Sequence, residues 1–349
     1  MNALSRLALI IVVPLLIAFM TYRFMRSSFL APLDSNNKDI VLVEVEADKN
    51  FREICKLLQD KGVINHWWSL EILARLRKND HSIAAGEYEL SPSMDPREVL
   101  AKLASGEVYK RKVAVKEGMS VWEIGAVVDK AGLMSQQDFD NAIADPRLLA
   151  EAGISAPSFE GYMYPETYNF SRPINARAII WRMLEEGEVH WPAEFSARAD
   201  ELQYSRHEIL TLASIIEKEA GNADEQALIS SVFHNRLSQG MKLQSEATVA
   251  YGIPNFKGTL SKEDLQTPTP YNTFMNFGLP PGPIGNPGEI SIRAALYPRD
   301  STYLFFVSDG NGKHVFSTTL QEHKEAVALY QGNKKEVLEA QPPAGSPAP

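Results

Sequence analysis

A pattern in the N-terminal part of this chain recurs at an interval that a repeated structural unit explains. Val43, Val45, Phe51, Ile54, Leu58 and Gly62 are followed seventy positions later by Val113, Val115, Val121, Ile124, Val128 and Gly132. Alternating valines predict a half-buried strand, and apolar residues three and four apart predict an amphipathic helix that a glycine then ends. The first copy reads as a strand over Ile40–Val45 and a helix over Phe51–Lys61, with Phe51, Ile54, Leu57 and Leu58 on one face. The second begins on the more basic segment Lys110–Val115. Between them, Ala84–Leu90 reads as a strand and Pro96–Leu103 as a short helix ending near Gly106. Together these elements imply a small α+β module, which serves either to bind a ligand or to space the next domain.

Ahead of this module, Leu7–Tyr22 is uncharged and mostly aliphatic, bracketed by Arg6 on one side and Arg23 and Arg26 on the other. As a helix it reaches about 24 Å, against a hydrocarbon core of about 30 Å. Snorkelling arginines or slight bilayer thinning close that gap. Pro14 is tolerable in a membrane helix. No small-x-small cleavage site follows, so a retained single-pass anchor is expected rather than a cleaved signal. The flanking charges nearly balance, so charge bias does not set the orientation. Everything after about residue 30 is then expected on one side of the membrane. The expected organisation is α+β throughout: an anchor over 1–30, a module over 31–150 opening on the polar linker Asp34–Asp39, and a larger mixed α+β domain over 151–340. A proline-rich, disordered tail follows over 341–349.

Composition narrows the function. A length of 349 residues suits two or three domains. A net charge of −9 and a pI near 5.4 argue against a nucleic-acid partner. Cys55 is the only cysteine, so an intrachain disulfide and a multi-cysteine zinc site are both excluded. It reads as a small buried residue on a helix. The seven histidines are scattered, and His207-Glu208 has no second histidine at helical spacing. No phosphate-cradling glycine loop or serine-nucleophile motif is present. No metal or cofactor is expected.

The region after Glu151 carries the chemistry. Helices are expected over Ala176–Glu186, His207–Ala220 and Asp224–Gln239. From Ile253 the texture turns to loops, with eight of the 21 prolines between Pro254 and Pro298. A hairpin follows, with strands at Tyr303–Val307 and His314–Ser317 around the turn Asp309–Gly312. Within the second helix, Leu212–Gly221 places Glu217 and Glu219 at the end of an apolar run that stops at a glycine. At about 100° per residue the two acids point nearly opposite ways. Ile215 and Ile216 lie one turn beneath Glu219, whereas Glu217 has the smaller Ala213 and Ser214. More apolar bulk means more desolvation, so Glu219 is the better candidate for a proton donor near neutral pH. Glu217 reads as a hydrogen-bonding or structural acid. Other polar groups that could converge there are Glu160 to Tyr168, Asn235-Arg236, Gln244-Ser245-Glu246-Ala247-Thr248 and Tyr271-Asn272-Thr273. Ordinary turn, helix-face or core roles explain each of these as well. His314 and His323 read as structural or as lining a cleft, with the structural reading favoured.

Taken in order, the segments Glu160–Tyr168, Ala213–Glu219, Asn235–Leu237, Leu243–Ser245, Thr267–Thr273, Gly278–Ile284, Asn286–Gly288 and the hairpin region to His323 resemble the YceG-like family of membrane-anchored endolytic murein transglycosylases. The anchor and repeated module resemble that family's LysM-like region more loosely. The resemblance implies cleavage of the β-1,4 bond between N-acetylmuramic acid and N-acetylglucosamine within glycan strands, leaving a 1,6-anhydro end. It assigns the catalytic acid to Glu219, and substrate contacts to Glu160, Tyr168, Glu217, Asn235, Arg236, Gln244, Ser245, Tyr271, Asn272 and Thr273. It also implies an inner-membrane location with the catalytic domain on the periplasmic or outer side, peptidoglycan as partner, and peptidoglycan synthesis proteins as further partners. Glu166 and Glu246 stand where the family usually has aspartate, and Ala247 where proline is common, which bears on fine positioning. Two other readings compete: a two-carboxylate hydrolase using Glu160 or Glu166, and a non-catalytic glycan-binding scaffold.

Overall fold

The computed structural model describes residues 3–77 and 83–330, and within its first helix the side chains of residues 12–24 and 29. The expected tail over 341–349 lies outside the described residues. Helix α1 (Ala3–Phe29) contains the aliphatic run, with Pro14 inside it. Among the described residues no helix is long and apolar enough to cross a membrane.

The chain divides into two compact units, one formed by Met1–Lys112 with Asn169–Ile174, the other by Val113–Tyr168 with residues from Asn175 onward. This division falls at Lys112, well ahead of the expected boundary at 150. In the first unit, β1 (Val41–Val45) precedes α2 (Phe51–Asp60) and α3 (Trp67–Arg77), and β2 (Gly86–Leu90) precedes α4 (Pro96–Ser105). β1 and β2 pair antiparallel, from Val41 opposite Leu90 to Val45 opposite Gly86. The alternation predicted from sequence holds, since Val43 and Val45 face the core with Ile54, Leu58, Leu70 and Tyr88. Cys55 is fully buried there, and that burial pushes its thiol up to about 12, which makes it an inert packing residue. Helix α3 was not legible in the sequence. Its buried residues include Ser69 and Glu71, so its face is not purely apolar. Glu71 is held as a carboxylate by Arg52 and Arg75.

The second unit continues from β3 (Arg111–Ala114), where the chain crosses between units, into α5 (Val121–Lys130), α6 (Gln136–Ile143) and α7 (Pro146–Glu151). β4 (Thr167–Phe170) pairs with β3. The seventy-residue repeat is real at the level of local structure. Both α2 and α5 begin with a capping box, Asn50 with Glu53 and Ser120 with Glu123. Both end on a left-handed glycine, Gly62 at φ 69° and Gly132 at φ 70°. The closing bonds also match: Val63 N–H donates to the Leu58 carbonyl and Leu133 N–H to the Val128 carbonyl. The copies nevertheless belong to different units, because each apolar face is covered by different neighbours.

Then follow α8 (Ala176–Val189), α9 (Ala193–Glu201), α10 (Arg206–Glu219), α11 (Gln226–Ser238), α12 (Glu246–Gly252), α13 (Glu289–Leu296), the antiparallel hairpin β5 (Phe305–Ser308) and β6 (His314–Ser317), and α14 (Leu320–Tyr330). Helix α10 is the axis of this unit. Ser205 and Glu208 close a capping box at its start, and every residue from Ile209 to Ile216 is buried. It packs against α9, α11, α12 and α13. Helix α13 lies within the stretch expected to be loop. It starts straight after Pro287-Gly288, and its buried side chains are mostly small, so no apolar stripe announces it.

One loop approach fixes a glycine. Gly161 has φ 86°, and a Cβ there would lie 2.3 Å from Pro283 Cγ. Gly161→Ala is therefore expected to cost about 2–4 kcal/mol, combining backbone strain with a clash. A shift in the urea midpoint at unchanged slope measures it, and an unchanged midpoint would refute this packing account.

Candidate active site

Glu219 is the last residue of α10, and Ala220 turns the chain into extended conformation. Gly221 is not needed for a left-handed backbone, as a helix-ending glycine would be. A Cβ on it would lie 2.8 Å from the Gly312 carbonyl oxygen, so it permits the hairpin turn to close against the end of α10. Asn222 Nδ2 donates to the same carbonyl at 2.8 Å.

Glu219 is half-buried as a residue, whereas Ile215 and Ile216 beneath it are fully buried. Ser245 Oγ donates to its Oε1 at 2.5 Å, and the Ala247 amide adds a second hydrogen bond. Burial is the main influence and pushes the carboxyl above the usual carboxylate range, with the Glu246 charge acting in the same direction. Ser245, the Ala247 amide and His314 oppose it. The result is an acid that keeps its proton to higher pH yet has donors ready for its ionised form.

Glu217, two residues earlier, faces another part of the unit. Its Oε2 accepts from the Gly288 amide at 3.0 Å, the N-cap of α13, and its Cγ would lie 3.3 Å from a Cβ on Gly118. It ties α13 to α10, as the structural reading of this acid anticipates.

Several of the other sequence-derived positions converge on Ser245 rather than on open space. Arg236 is buried on α11 and donates to the carbonyls of Leu304, Lys242 and Leu243 and to Gln244 Oε1. Burial lowers its guanidinium to about 10, with the Glu219 charge working against that. The Ser245 amide donates to Thr273 Oγ1 at 2.9 Å, and the Gln244 amide to the Thr273 carbonyl. Gln244 sits at φ 53°, a bend that these bonds maintain. Asn272 is fully buried and donates to the carbonyls of Leu265 and Thr267, shaping the loop that carries Thr273. Asn235 donates to the carbonyls of Ser301 and Tyr303, fixing the approach to β5.

Glu160 and Tyr168 do not fit the role of substrate contacts. Glu160 is 1% exposed. It accepts from the Val121 amide at 3.2 and 3.3 Å, from Asn286 Nδ2 at 3.2 Å and from Tyr251 Oη at 3.0 Å. Its burial raises its pKa to about 7. It joins the start of α5, the end of α12 and the loop before α13. Tyr168 is buried and donates to the Tyr164 carbonyl at 2.6 Å. Tyr271 is half-buried, its ring centre 4.9 Å from that of Tyr251. Glu166 is exposed and accepts from its neighbour's amide, Thr167. Among the described residues no cluster of three or more His, Cys, Asp or Glu side chains could hold a metal.

Sequence reasoning passes over Tyr251, gives Asn286 no role beyond its place in a family-like segment, and pairs neither of them with Glu160, nor Glu225 with His314. Only the glycine after Glu219 hinted that another segment closes there.

The Glu219 carboxyl, raised by burial and held by a serine and a backbone amide at the end of an apolar helix, has the setting that acid–base chemistry requires. The chain belongs to the YceG-like family, whose model matches residues 43–329. It is 30% identical over 324 residues to a Bacillus subtilis (strain 168) protein named endolytic murein transglycosylase, covering 88% of this chain and 90% of that one. A Streptococcus pneumoniae (serotype 2, strain D39) protein of the same name is 27% identical over 90% of this chain, which covers 62% of that longer protein. The crystal structure of a yceG-like protein from Listeria monocytogenes matches with a TM-score of 0.58 and 34% identity, over 82% of this chain and 99% of the other.

The Glu160 geometry has a pH consequence. Its carboxyl binds a proton more tightly in the folded protein (about 7) than at its ordinary value of 4.5 in the unfolded chain. Between those values the native state holds more protons, so stability falls as pH rises through the window, by about 3 kcal/mol in total. Glu160→Gln is expected to flatten that fall, read from Tm against pH. A mutant with the wild-type slope would show that Glu160 is not its source.

Proposed function

We propose that this chain is an endolytic murein transglycosylase in which Glu219 is the single catalytic acid and base. The observation that carries the reading is the state of Glu219: its carboxyl is desolvated enough to hold a proton and supplied with two donors for its carboxylate form, on a residue that is only half-buried. The relatives' common name supplies the substrate, the glycan strand of peptidoglycan.

Protonated Glu219 gives its proton to the bridging oxygen of the β-1,4 bond between N-acetylmuramic acid and N-acetylglucosamine. The C1–O bond breaks with its electron pair going to that oxygen, leaving oxocarbenium character at C1. Glu219, now a carboxylate, takes the proton from the C6 hydroxyl of the same muramic sugar, and O6 bonds to C1. The 1,6-anhydro end forms, Glu219 is protonated again, and no water is consumed. The hydroxyl of Ser245 and the amide of Ala247 stabilise the intervening carboxylate. A hydrolase that used Glu160 as its second carboxylate would have to expose a group whose oxygens are both bonded inside the protein.

Glu219→Gln is expected to lower the cleavage rate of purified glycan strands by about a thousandfold. Wild-type products should weigh one water less than hydrolysis products. A Glu219→Gln protein that cleaves at the wild-type rate, or wild-type products that carry the added water, would overturn the reading.

We also infer that α1 anchors the protein in the inner membrane, with both units on the outer side, where peptidoglycan and the proteins that synthesise it lie. Support comes from the apolar side chains Val12, Leu15, Leu16, Phe19 and Met20, all exposed on α1. The first unit is assigned as a LysM-like glycan-binding module on the strength of its strand–helix content. Deleting residues 1–30 is expected to move the protein from the membrane to the soluble fraction. Retention in the membrane fraction would count against the anchor.

A further inference from the structure

Helix α3 carries an apolar stripe on its open face. Ile72 is 43% exposed and Leu76 is 78% exposed. At about 100° per residue both follow Trp68 along one narrow side of the helix, opposite the buried Leu70 and Ala74. The core of the unit takes Leu70 and Ala74 from α3, so folding does not account for the stripe. The stripe begins where α1 finishes. Phe29, the last residue of α1, meets the Trp68 ring edge-on with ring centres 4.7 Å apart, and His66 stacks on the same indole at 5.2 Å. The chain beyond α1 is tied down as well. Asn65 Nδ2 donates to the Pro32 carbonyl at 3.3 Å, the Asp34 amide to the Pro92 carbonyl at 3.0 Å, and Ser91 Oγ to the Asn37 carbonyl at 3.0 Å. The segment read from sequence as a polar linker is therefore held on the unit, and α3 keeps a fixed place beside the end of α1.

We propose that α3 lies in the headgroup layer of the membrane that α1 enters, its Trp68–Ile72–Leu76 stripe turned to the acyl chains, so that the first unit rests on the lipid surface instead of standing off it. The proposal rests on the reading of α1 as the membrane anchor. Continuity with that anchor selects lipid as the occupant of the stripe. The apolar run Leu7–Tyr22 spans about 24 Å of a hydrocarbon layer about 30 Å thick. Centred there, α1 carries Phe29 about 7 Å beyond the edge of that layer, within a headgroup region about 5–8 Å deep. Trp68 touches Phe29 at this depth, which is where indole rings collect. A helix with an apolar face and a basic margin beds in the same layer. Charge fits this occupant too. Glu71, the one acid of α3, is bonded to Arg52 at 3.0 Å and to Arg75 at 2.6 Å, two cations to one anion. Lys56 lies 5.6 Å from the centre of the Trp67 ring, and Arg77 closes the helix. Lipid approaching the stripe meets no uncompensated acid on α3, and long basic side chains beside it can lay their stems on apolar surface and reach phosphates with their heads.

Spin labelling of the full chain, reconstituted in vesicles of phosphatidylethanolamine and phosphatidylglycerol, tests this. Leu76→Cys offers an open labelling position, and the one native cysteine, Cys55, is fully buried and stays unlabelled. A nitroxide at position 76 is expected to be relaxed more strongly by oxygen, which concentrates in lipid, than by a water-soluble nickel complex, the reverse of the order in water. Adding Ile72→Asp is expected to restore the aqueous order while the chain still floats with the vesicles. If Leu76→Cys does not fold, Ile72→Cys carries the label with the same expectation, and Leu76→Asp takes the place of the added charge. A label reached best by the nickel complex places α3 in water, and one reached by neither probe places it against protein; either result overturns the proposal. A label that keeps the lipid order after the aspartate is added also overturns it, because the contact would not depend on the stripe. Flotation separates the two readings. A chain that does not float with the vesicles removes the anchor and this proposal with it, whereas a floating chain whose label sits in water removes only the role of α3.

Discussion

The hydrogen bond from the Ser245 hydroxyl to the Glu219 carboxyl is the interaction on which the second unit's site depends. A carboxyl taken from water into an apolar setting is costly in its charged form unless donors replace the lost hydration. Helix α10 imposes that cost by burying Ile215 and Ile216 beneath the acid, and the segment after α11 supplies the replacement. Holding Ser245 in place takes much of the neighbourhood. Arg236 gathers the carbonyls before it, Thr273 accepts its amide, and Asn272 shapes the loop that carries Thr273. Polar residues that look like substrate ligands in the sequence are, in this unit, the frame that keeps one hydroxyl within reach of one carboxyl.

Helical periodicity divides two acids of the same helix between two tasks. Glu217 and Glu219 are about 200° apart around the axis, so they face different neighbours. Glu217 satisfies the N-terminal amide of α13, a bond that also favours the positive end of that helix. Glu219 meets the first turn of α12, where the Ala247 amide reaches it. Both acids therefore sit at helix starts. The difference lies in the apolar bulk beneath them and in what each leaves accessible.

The same reasoning marks how far the sequence could be read. Helix α10 and the opposite facing of its two acids were legible, because apolar spacing along a helix depends on local geometry alone. The repeat was legible too, in its apolar spacing and its helix-ending glycines Gly62 and Gly132, while the matching capping boxes emerge only in the structure. Which unit each copy joins was not, since that depends on what covers its apolar face, and those partners are distant in sequence. Helix α13 hid inside a proline-rich stretch because its buried side chains are mostly small. Gly221 was read as a helix stop, while its spatial reason is the Gly312 carbonyl ninety-one positions on. In the sequence Glu160 and Tyr168 read as polar ligands, because a sequence shows that a group can bond but not whether its bonds are already made.

Glu160 and Glu219 make that last distinction concrete. Both carboxyls are raised by burial, so a raised pKa alone selects neither as the reacting acid. At Glu160 the Val121 amide reaches both oxygens, Asn286 adds to one and Tyr251 to the other. The side chain is almost wholly enclosed, and a proton there can report on stability but cannot reach a sugar. Glu219 has its donors from one short segment, on a residue that is only half-buried. Chemistry requires both properties at once: desolvation sufficient to retain the proton and an open direction along which to deliver it. Among the acids raised by burial, Glu219 combines a helix end, an apolar floor and a donor pair suited to its ionised form, and that combination is the physical ground on which it is proposed as the reacting group.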